Sequence, residues 1–282
     1  MTVLDMQIDE VYEIGQGIKA LQLAVSKSRD VTIVNLPRDF IVNDLMHHLK
    51  GRHVRIYTNR PEDMTGPLND VGDVHFTSVD MLGIYRGETV EKGDVFVKNR
   101  LFHIWWKPSG IIAIGSIRFK RCASCIPKMH EDILMTEEIP QIDFMNIYGF
   151  EDGIETMIEA VRRSKRLRLV NLPKTIVGIL LDHLDNKELK IICADENNIC
   201  YKARDRYDDV KVAGELFKVY SVHHGKKVRS GGLAVDSGFF SVDYDEDEIY
   251  SICSVFWPRC SECMMQYFEW GWLQAKKITP RQ

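Results

Sequence analysis

The sequence predicts an α/β fold made of two tandem repeats, each a mixed sheet flanked by helices, the two related by a pseudo-twofold axis. Three observations predict it: a recurring four-residue phrase, a recurring CxxC pair, and a helix–strand alternation that appears twice. "VNLP" stands at Val34 to Pro37 and again at Val170 to Pro173, an offset of 136 residues. At that offset Gly17 and Ile18 fall on Gly153 and Ile154, Ala24 and Val25 on Ala160 and Val161, and Ser28 on Ser164. "RCASC" at Arg121 to Cys125 and "RCSEC" at Arg259 to Cys263 are 138 residues apart, and Ile114, Ser116 and Phe119 keep that register on Ile252, Ser254 and Trp257. Accidental matches do not hold register through their flanks, so the cysteine pairs belong to the duplication.

Each element follows from its period. Gly17 to Ser28 is apolar at Ile18, Leu21, Leu23 and Val25, an amphipathic helix. Val31 to Val34 is a β-branched strand, and Pro37 stops it because proline has no N–H for the ladder. Phe40 to Leu49 resumes the helical period, Gly51 ends it, and Val54 to Tyr57 is the next strand. Gly153 to Ser164, Leu167 to Val170, Thr175 to Leu184 and Leu189 to Cys193 repeat the series. This order predicts right-handed crossovers and parallel pairing. Shorter strands then make the sheets mixed: Val74 to Val79, Gly93 to Val97, Leu101 to Trp106 and Ile111 to Phe119 in the first half. Val210 to Tyr220, Leu233 to Val242 and Ile249 to Phe256 follow in the second, and helices are expected after each CxxC, at Ile126 to Leu134 and Met264 to Lys276. Residues 1–139 and 140–282 are the expected units, joined within the acidic stretch Met135 to Tyr148.

With 45% apolar residues among 282 the chain has ample material for a core, and its net charge of −4 gives no global basic field for nucleic acid or an anionic membrane. Its first residues are acidic where a secretory leader would be basic, and no run reaches the length of a membrane span. A cytoplasmic protein is expected. Seven cysteines, an odd number, do not form a secreted disulfide framework, and CxxC pairs in a reducing compartment point to metal or redox chemistry.

A helix, a strand stopped by Asn-Leu-Pro, a second helix and strand, and a closing "IAIGSIRF" at Ile112 to Phe119 together resemble one half of a phospholipase D-like fold. The chain is similar in this to the effector domain of archaeal TrmB-type transcriptional regulators. The catalytic members carry His-x-Lys, then an acid, then Gly-Ser, with the histidine attacking phosphorus. His103 matches the histidine, but Trp105 stands at the lysine, Gly110 at the acid, and Gly115-Ser116 fall two residues early. In the second half Ser241 aligns with His103, Asp243 with Trp105, and Cys253 replaces the glycine before Ser254. One histidine without its lysine cannot run a reaction that needs a nucleophile, a general acid and phosphate-neutralising cations. The resemblance therefore implies a catalytically inactive version, a module that senses a small ligand or binds a protein partner. It places the ligand cleft where the halves meet, near His103, Trp105, Ser116 and Ser254. The alternative is a phosphodiesterase or nucleic-acid enzyme with an altered site, His103 as nucleophile, and Lys226, Lys227 and Arg229 holding phosphate.

The same resemblance brings the two CxxC turns together. Cys122, Cys125, Cys260 and Cys263 would then offer four thiolates to Zn²⁺, a chelate that staples the halves and turns binding energy into folding energy. Arg121 and Arg259 suit the anionic charge of such a site. An iron–sulfur cluster shielded by Trp257, Phe268, Trp270 and Trp272, a pair of redox dithiols at helix starts, and inert burial are the other readings. Cys193 and Cys253 read as strand core.

Other segments carry weaker signals. "HHLKGRH" (His47, His48, His53) is basic where a helix ends, which its dipole favours. "HHGKKVRSGG" (from His223) reads as a basic glycine-rich loop able to cradle phosphate, or as a solvated turn. In "WWKPSG" one of Trp105 and Trp106 is core and the other is helix-covered or an exposed stacking platform. "DYDEDE" (Asp243 to Glu248) reads as an acidic hairpin turn, without the spacing of a calcium loop.

Overall fold

In the N-terminal half β1 (Glu10–Tyr12) leads into α1 (Ile14–Ser26), β2 (Asp30–Val34), α2 (residues 38–49) and β3 (His53–Thr58). The strands β4 (Asp73–Phe76), β5 (Leu82–Tyr85), β6 (Glu88–Val97), β7 (Arg100–Lys107) and β8 (Gly110–Ile117) complete it. The C-terminal half begins with β9 (Asp143–Tyr148), α3 (Phe150–Arg163), β10 (Arg166–Val170), α4 (Lys174–Leu180), β11 (Glu188–Cys193), α5 (Asn198–Arg206) and β12 (Val210–Val212). It ends with β13 (Tyr220–His223), β14 (Lys226–Val235), β15 (Gly238–Tyr244), β16 (Ile249–Phe256), α6 (Pro258–Gln274) and β17 (Lys276–Lys277). This computed structural model describes residues 10–60, 66, 68, 71–76, 81–98, 100–117, 125, 143–193, 198–207, 209–212, 220–246 and 248–277.

The recurring "VNLP" has a physical explanation. Asn35 and Asn171 adopt φ of +48° and +49°, a left-handed turn that asparagine tolerates, and Pro37 and Pro173 then cap the next helix with φ of −59°. The turned carbonyls are used in the same way twice. Asn35 O accepts from Trp106 Nε1 at 3.1 Å, and Asn171 O accepts from the Tyr244 hydroxyl at 2.6 Å. Each carbonyl also lies over a glycine of the neighbouring strand, Gly93 and Gly231, whose added Cβ would come within 2.4 Å and 2.3 Å of it.

Strand pairing repeats too. β2 lies parallel to β3 and antiparallel to β6, as β10 lies parallel to β11 and antiparallel to β14. Two short strands cross between halves. β1 is antiparallel to β8 and parallel to β13, while β9 is antiparallel to β16 and parallel to β5. Following the pairings β5, β6, β7, β8, β1, β13, β14, β15, β16, β9 and back to β5 closes a ring, which leaves these strands without open edges. Two-residue turns with positive φ at both positions, Arg86-Gly87 and His224-Gly225, join β5 to β6 and β13 to β14, the twist-matched hairpin geometry.

Three main apolar clusters follow. One fills the N-terminal half between its helices and sheet, with Leu21, Ile33, Ile56 and Phe102; one fills the C-terminal half, with Met157, Leu169, Ile191 and Phe240. The third joins them: Phe96, Leu101, Trp105 and Ile117 meet Ile147 and Cys253.

Several expected elements take a different form. Leu233 to Val242 is a hairpin, turning at Asp236-Ser237 so that Val235 pairs Gly238. Val210 to Tyr220 divides into β12 and the start of β13, and the helix of residues 38–49 widens to a π-turn at Ile41–Leu45. The final helix begins six residues early, at Pro258, because proline is well placed in a first turn. Residues 126–134 lie outside the described residues, as does most of the expected joint; its last part is β9, a ring strand.

Candidate functional site

The strand register decides which side chains meet between the halves. Lys92 pairs Trp105 and Asp94 pairs His103 across β6 and β7, so all four share the face that carries the joining cluster. On the opposing strands Ser230 pairs Asp243, and Ser241 pairs Cys253, another member of that cluster. His103 Nδ1 and Asp94 Oδ1 are 2.7 Å apart, a charge-assisted hydrogen bond in which the ring donates and which fixes the ring's orientation. His103 is 1% exposed, Lys92 1% and Asp94 0%. Both tryptophans of "WWKPSG" are buried, Trp105 in the joining cluster and Trp106 in the N-terminal core, so neither is a stacking platform.

Ser116 and Ser254 lie elsewhere. They pair with Phe102 and Phe240, one residue out of phase with His103 and Ser241, and therefore face the outer side of the ring. There each meets a tyrosine of a crossing strand: Tyr12 to Ser116 at 3.3 Å and Tyr148 to Ser254 at 3.0 Å. Arg100 donates to Ser116 through Nε at 3.0 Å and to the Tyr12 hydroxyl. The serines of the resemblance thus tie β1 and β9 into the ring, away from His103 and Trp105.

Asp243 is a strand residue of this interior and not part of an acidic turn. It is 2% exposed and accepts from Ser221 at 2.9 Å and Ser251 at 3.4 Å. Burial pushes its carboxyl up to about 6, against the pull of hydrogen bonds from Ser221, Ser230 and Ser251. A carboxyl raised in the folded state stabilises most below its unfolded pKa, and that contribution is lost as pH rises through the folded value. Stability is expected to fall by about 2–3 kcal/mol between pH 4 and pH 7.5 from this group. Asp243→Asn should remove that part of the slope, and a difference between the two pH–stability curves of less than about 0.5 kcal/mol would contradict it.

Three of the four CxxC cysteines are among the described residues. Cys260 and Cys263 lie in the first turns of α6, and Cys125, far away in sequence, is near enough for its charge to act on Cys260. Burial pushes the Cys260 thiol up to about 12, Cys125 and Cys263 add to the rise, and Arg259 opposes it. The redox-dithiol reading needs a lowered thiol at this helix start; burial and the neighbouring thiols move it the other way. Cys122 and Arg121 lie outside the described residues. Among the described residues no three His, Cys, Asp or Glu side chains stand as a group able to hold a metal. Cys253 is strand core as expected, whereas Cys193 is disulfide-bonded.

Lys226, Lys227 and Arg229 sit on β14 and not in a loop; the turn is His224-Gly225 alone. Lys226 donates to the Tyr250 hydroxyl at 2.7 Å and pairs with Asp245 at 2.9 Å, while Lys227 lies 4.1 Å over the Tyr220 ring. Burial, with the charges of His224 and Arg86, pushes His223 down to about 4, so it is neutral at physiological pH. Gly231 serves close packing on Asn171. His48 of "HHLKGRH" meets Ser26 at 2.8 Å, and Gly51 ends its helix with φ +73°, a structural arrangement.

Sequence reasoning missed Lys92, Asp94, Tyr12, Tyr148 and Arg100. Two charges alternating through "VEKGDVFV" were the available signal for the first pair, and the 136-residue offset places Tyr12 on Tyr148.

No protein-family model and no curated protein matches this chain. Among solved structures, TrmBL2, an archaeal chromatin protein with a novel mode of DNA binding, is 14% identical with a TM-score of 0.34, over 56% of this chain and 62% of that one. The chain therefore spans less than two thirds of TrmBL2. Phosphatidylserine synthase from Haemophilus influenzae Rd KW20 is 8% identical at TM-score 0.36, over 98% and 88% of the two chains. Nuc of Salmonella typhimurium, a phospholipase D family member, is 12% identical at 0.34, over 48% and 98%. The chain weakly resembles phospholipase D-like proteins. Among the described residues no helix is long and apolar enough to cross a membrane.

Proposed function

We propose that the chain is a non-catalytic binding module: a degenerate phospholipase D-like tandem, 1–139 and 140–282, that senses a small ligand or binds a protein partner and is stapled by zinc. The carrying observation is the interior pair His103 and Ser241. The histidine is sealed at 1% exposure against Asp94, and a serine stands at the equivalent place in the other half. A phosphoryl transfer through two histidines lacks its second histidine here, since Ser241 stands in that place. Pairs that recur at offsets of 136 to 138, such as Tyr12–Ser116 with Tyr148–Ser254, support the pseudo-twofold arrangement.

Zinc is the metal that the residue types of the two CxxC motifs suit. The charges of Cys125 and Cys263 act on Cys260 beside Arg259, and Cys122 would complete a four-thiolate set. Bound there, zinc supplies no reaction and ties the two halves together. A cytosolic setting would keep the CxxC thiols reduced for metal and would reduce the Cys193 disulfide as well.

Elemental analysis of anaerobically purified protein is the test. Roughly one zinc per chain, lost in both Cys122→Ser and Cys260→Ser together with a lower melting temperature, is expected. Metal retained in both variants removes the staple, and a brown protein absorbing near the violet edge of the visible range replaces zinc by a cluster.

A second reading has its own observation. Lys92, Asp94 and His103 place a lysine, an acid and a histidine on one face, the residue types of a single phospholipase D-like half-site. Phosphodiester hydrolysis that disappears in His103→Ala would replace the binding module with an enzyme.

A further inference from the structure

A cavity of about 210 Å³ opens away from the interior, lined by Asn35, Leu36, Pro37, Arg38, Asp39, Thr58, Arg60 and Trp106. It lies at the C-terminal ends of the parallel strands β2 and β3, the end of an α/β sheet where ligands are held. Arg60 is restrained from two sides. Its guanidinium lies 5.0 Å over the Trp106 ring and pairs with Glu91 at 2.5 Å, which fixes its plane and leaves further N–H donors. Arg38 approaches Asp39 only at 3.7 Å, outside hydrogen-bonding range, and Asp39 is 86% exposed, so water screens its charge. Thr58, 2% exposed, accepts from Arg60 N at 3.0 Å through a hydroxyl whose own proton is one more donor. No side chain caps the start of α2, whose first residues, Arg38 and Asp39, line the same cavity.

We propose that this cavity binds a phosphate dianion, free or as the end of a small phosphomonoester. Two guanidinium groups, a buried hydroxyl and uncapped amides outnumber the two carboxylates beside them, the exposed Asp39 and the Glu91 that holds Arg60, and such an excess of donors is the chemistry that recognises phosphoryl oxygens. The volume equals roughly seven waters at ~30 Å³ each, room for a phosphate and a short stub and below the range of drug-sized ligand sites. The site stands apart from the cysteines and from His103, so it survives or fails independently of the function proposed above.

Calorimetric titration of the full chain with inorganic phosphate, and separately with glycerol 3-phosphate, tests it in a phosphate-free buffer. Saturable binding is expected, weakened about tenfold or more by Arg38→Gln. Arg60→Gln should weaken it further; because Arg60 packs on Trp106, the half-exposed Arg38 is the variant on which the outcome rests. Tighter binding of glycerol 3-phosphate than of phosphate identifies the monoester as occupant, and equal or weaker binding identifies the free anion. The proposal is overturned if neither ligand binds at millimolar concentration, or if binding persists undiminished in a folded Arg38→Gln chain; its loss in Lys226→Gln would then place the anion on β14 instead.

Discussion

Trp105→Ala is expected to lower stability by about 3–5 kcal/mol, because the indole is fully buried and no neighbouring element is free to close the void. Its position makes the loss global. Trp105 lies in the cluster that joins the halves, with the rings of Tyr85 at 6.2 Å and His103 at 6.1 Å. Chemical denaturation monitored by tryptophan fluorescence and by circular dichroism reads the effect. Both probes should shift to lower denaturant, and a change below about 1 kcal/mol would mean that the interior is not packed as described. Trp105→Phe should cost much less, since the indole N–H has no acceptor within the described residues and its removal leaves no partner stranded.

A matched pair of glycine substitutions should be nearly as severe. Gly93→Ala and Gly231→Ala each force a methyl group into backbone, 2.4 Å from Asn35 O in one case and 2.3 Å from Asn171 O in the other. Flexible side-chain ends yield cheaply; a left-handed Asn turn followed by a helix-capping proline does not. Each should cost about 3 kcal/mol or more, at the upper end of overpacking effects. The expected result is a large drop in melting temperature of similar size for both. A strong loss from one and none from the other would show that the two turns do not do the same work.

Much of the architecture was legible because local chemistry repeats. Asn-Leu-Pro fixes a turn and a helix start wherever it stands, so its second copy announced a second unit. Helix α1 and strand β3 followed from periodicity, since each buries one face of its own sequence, while β2 and β7 are buried on both faces and were legible as short apolar runs. Strands β1 and β9 were not legible. They are short, and what makes them strands is a partner on each side, one of them in the other half. The hairpin within Leu233 to Val242 was missed because the apolar runs on both sides were read as one strand through the Ser237-Gly238 turn signal. In the candidate site His103 was found by resemblance, but Asp94 was invisible as its partner, since a separation of nine positions becomes adjacency only through strand register.

By itself the sequence determined the recurring Asn-Leu-Pro turn, the helix and strand periods, the absence of a lysine two residues after His103, and the pair of cysteine motifs, because each is written in neighbouring residues. Only the tertiary structure decided that ten strands close into a ring, that Ser116 and Ser254 face away from His103, and that two arginines and a threonine share a cavity. Those relations depend on register, burial and pairing between segments far apart in the chain, and a shift of one residue along a strand reverses which side chains meet.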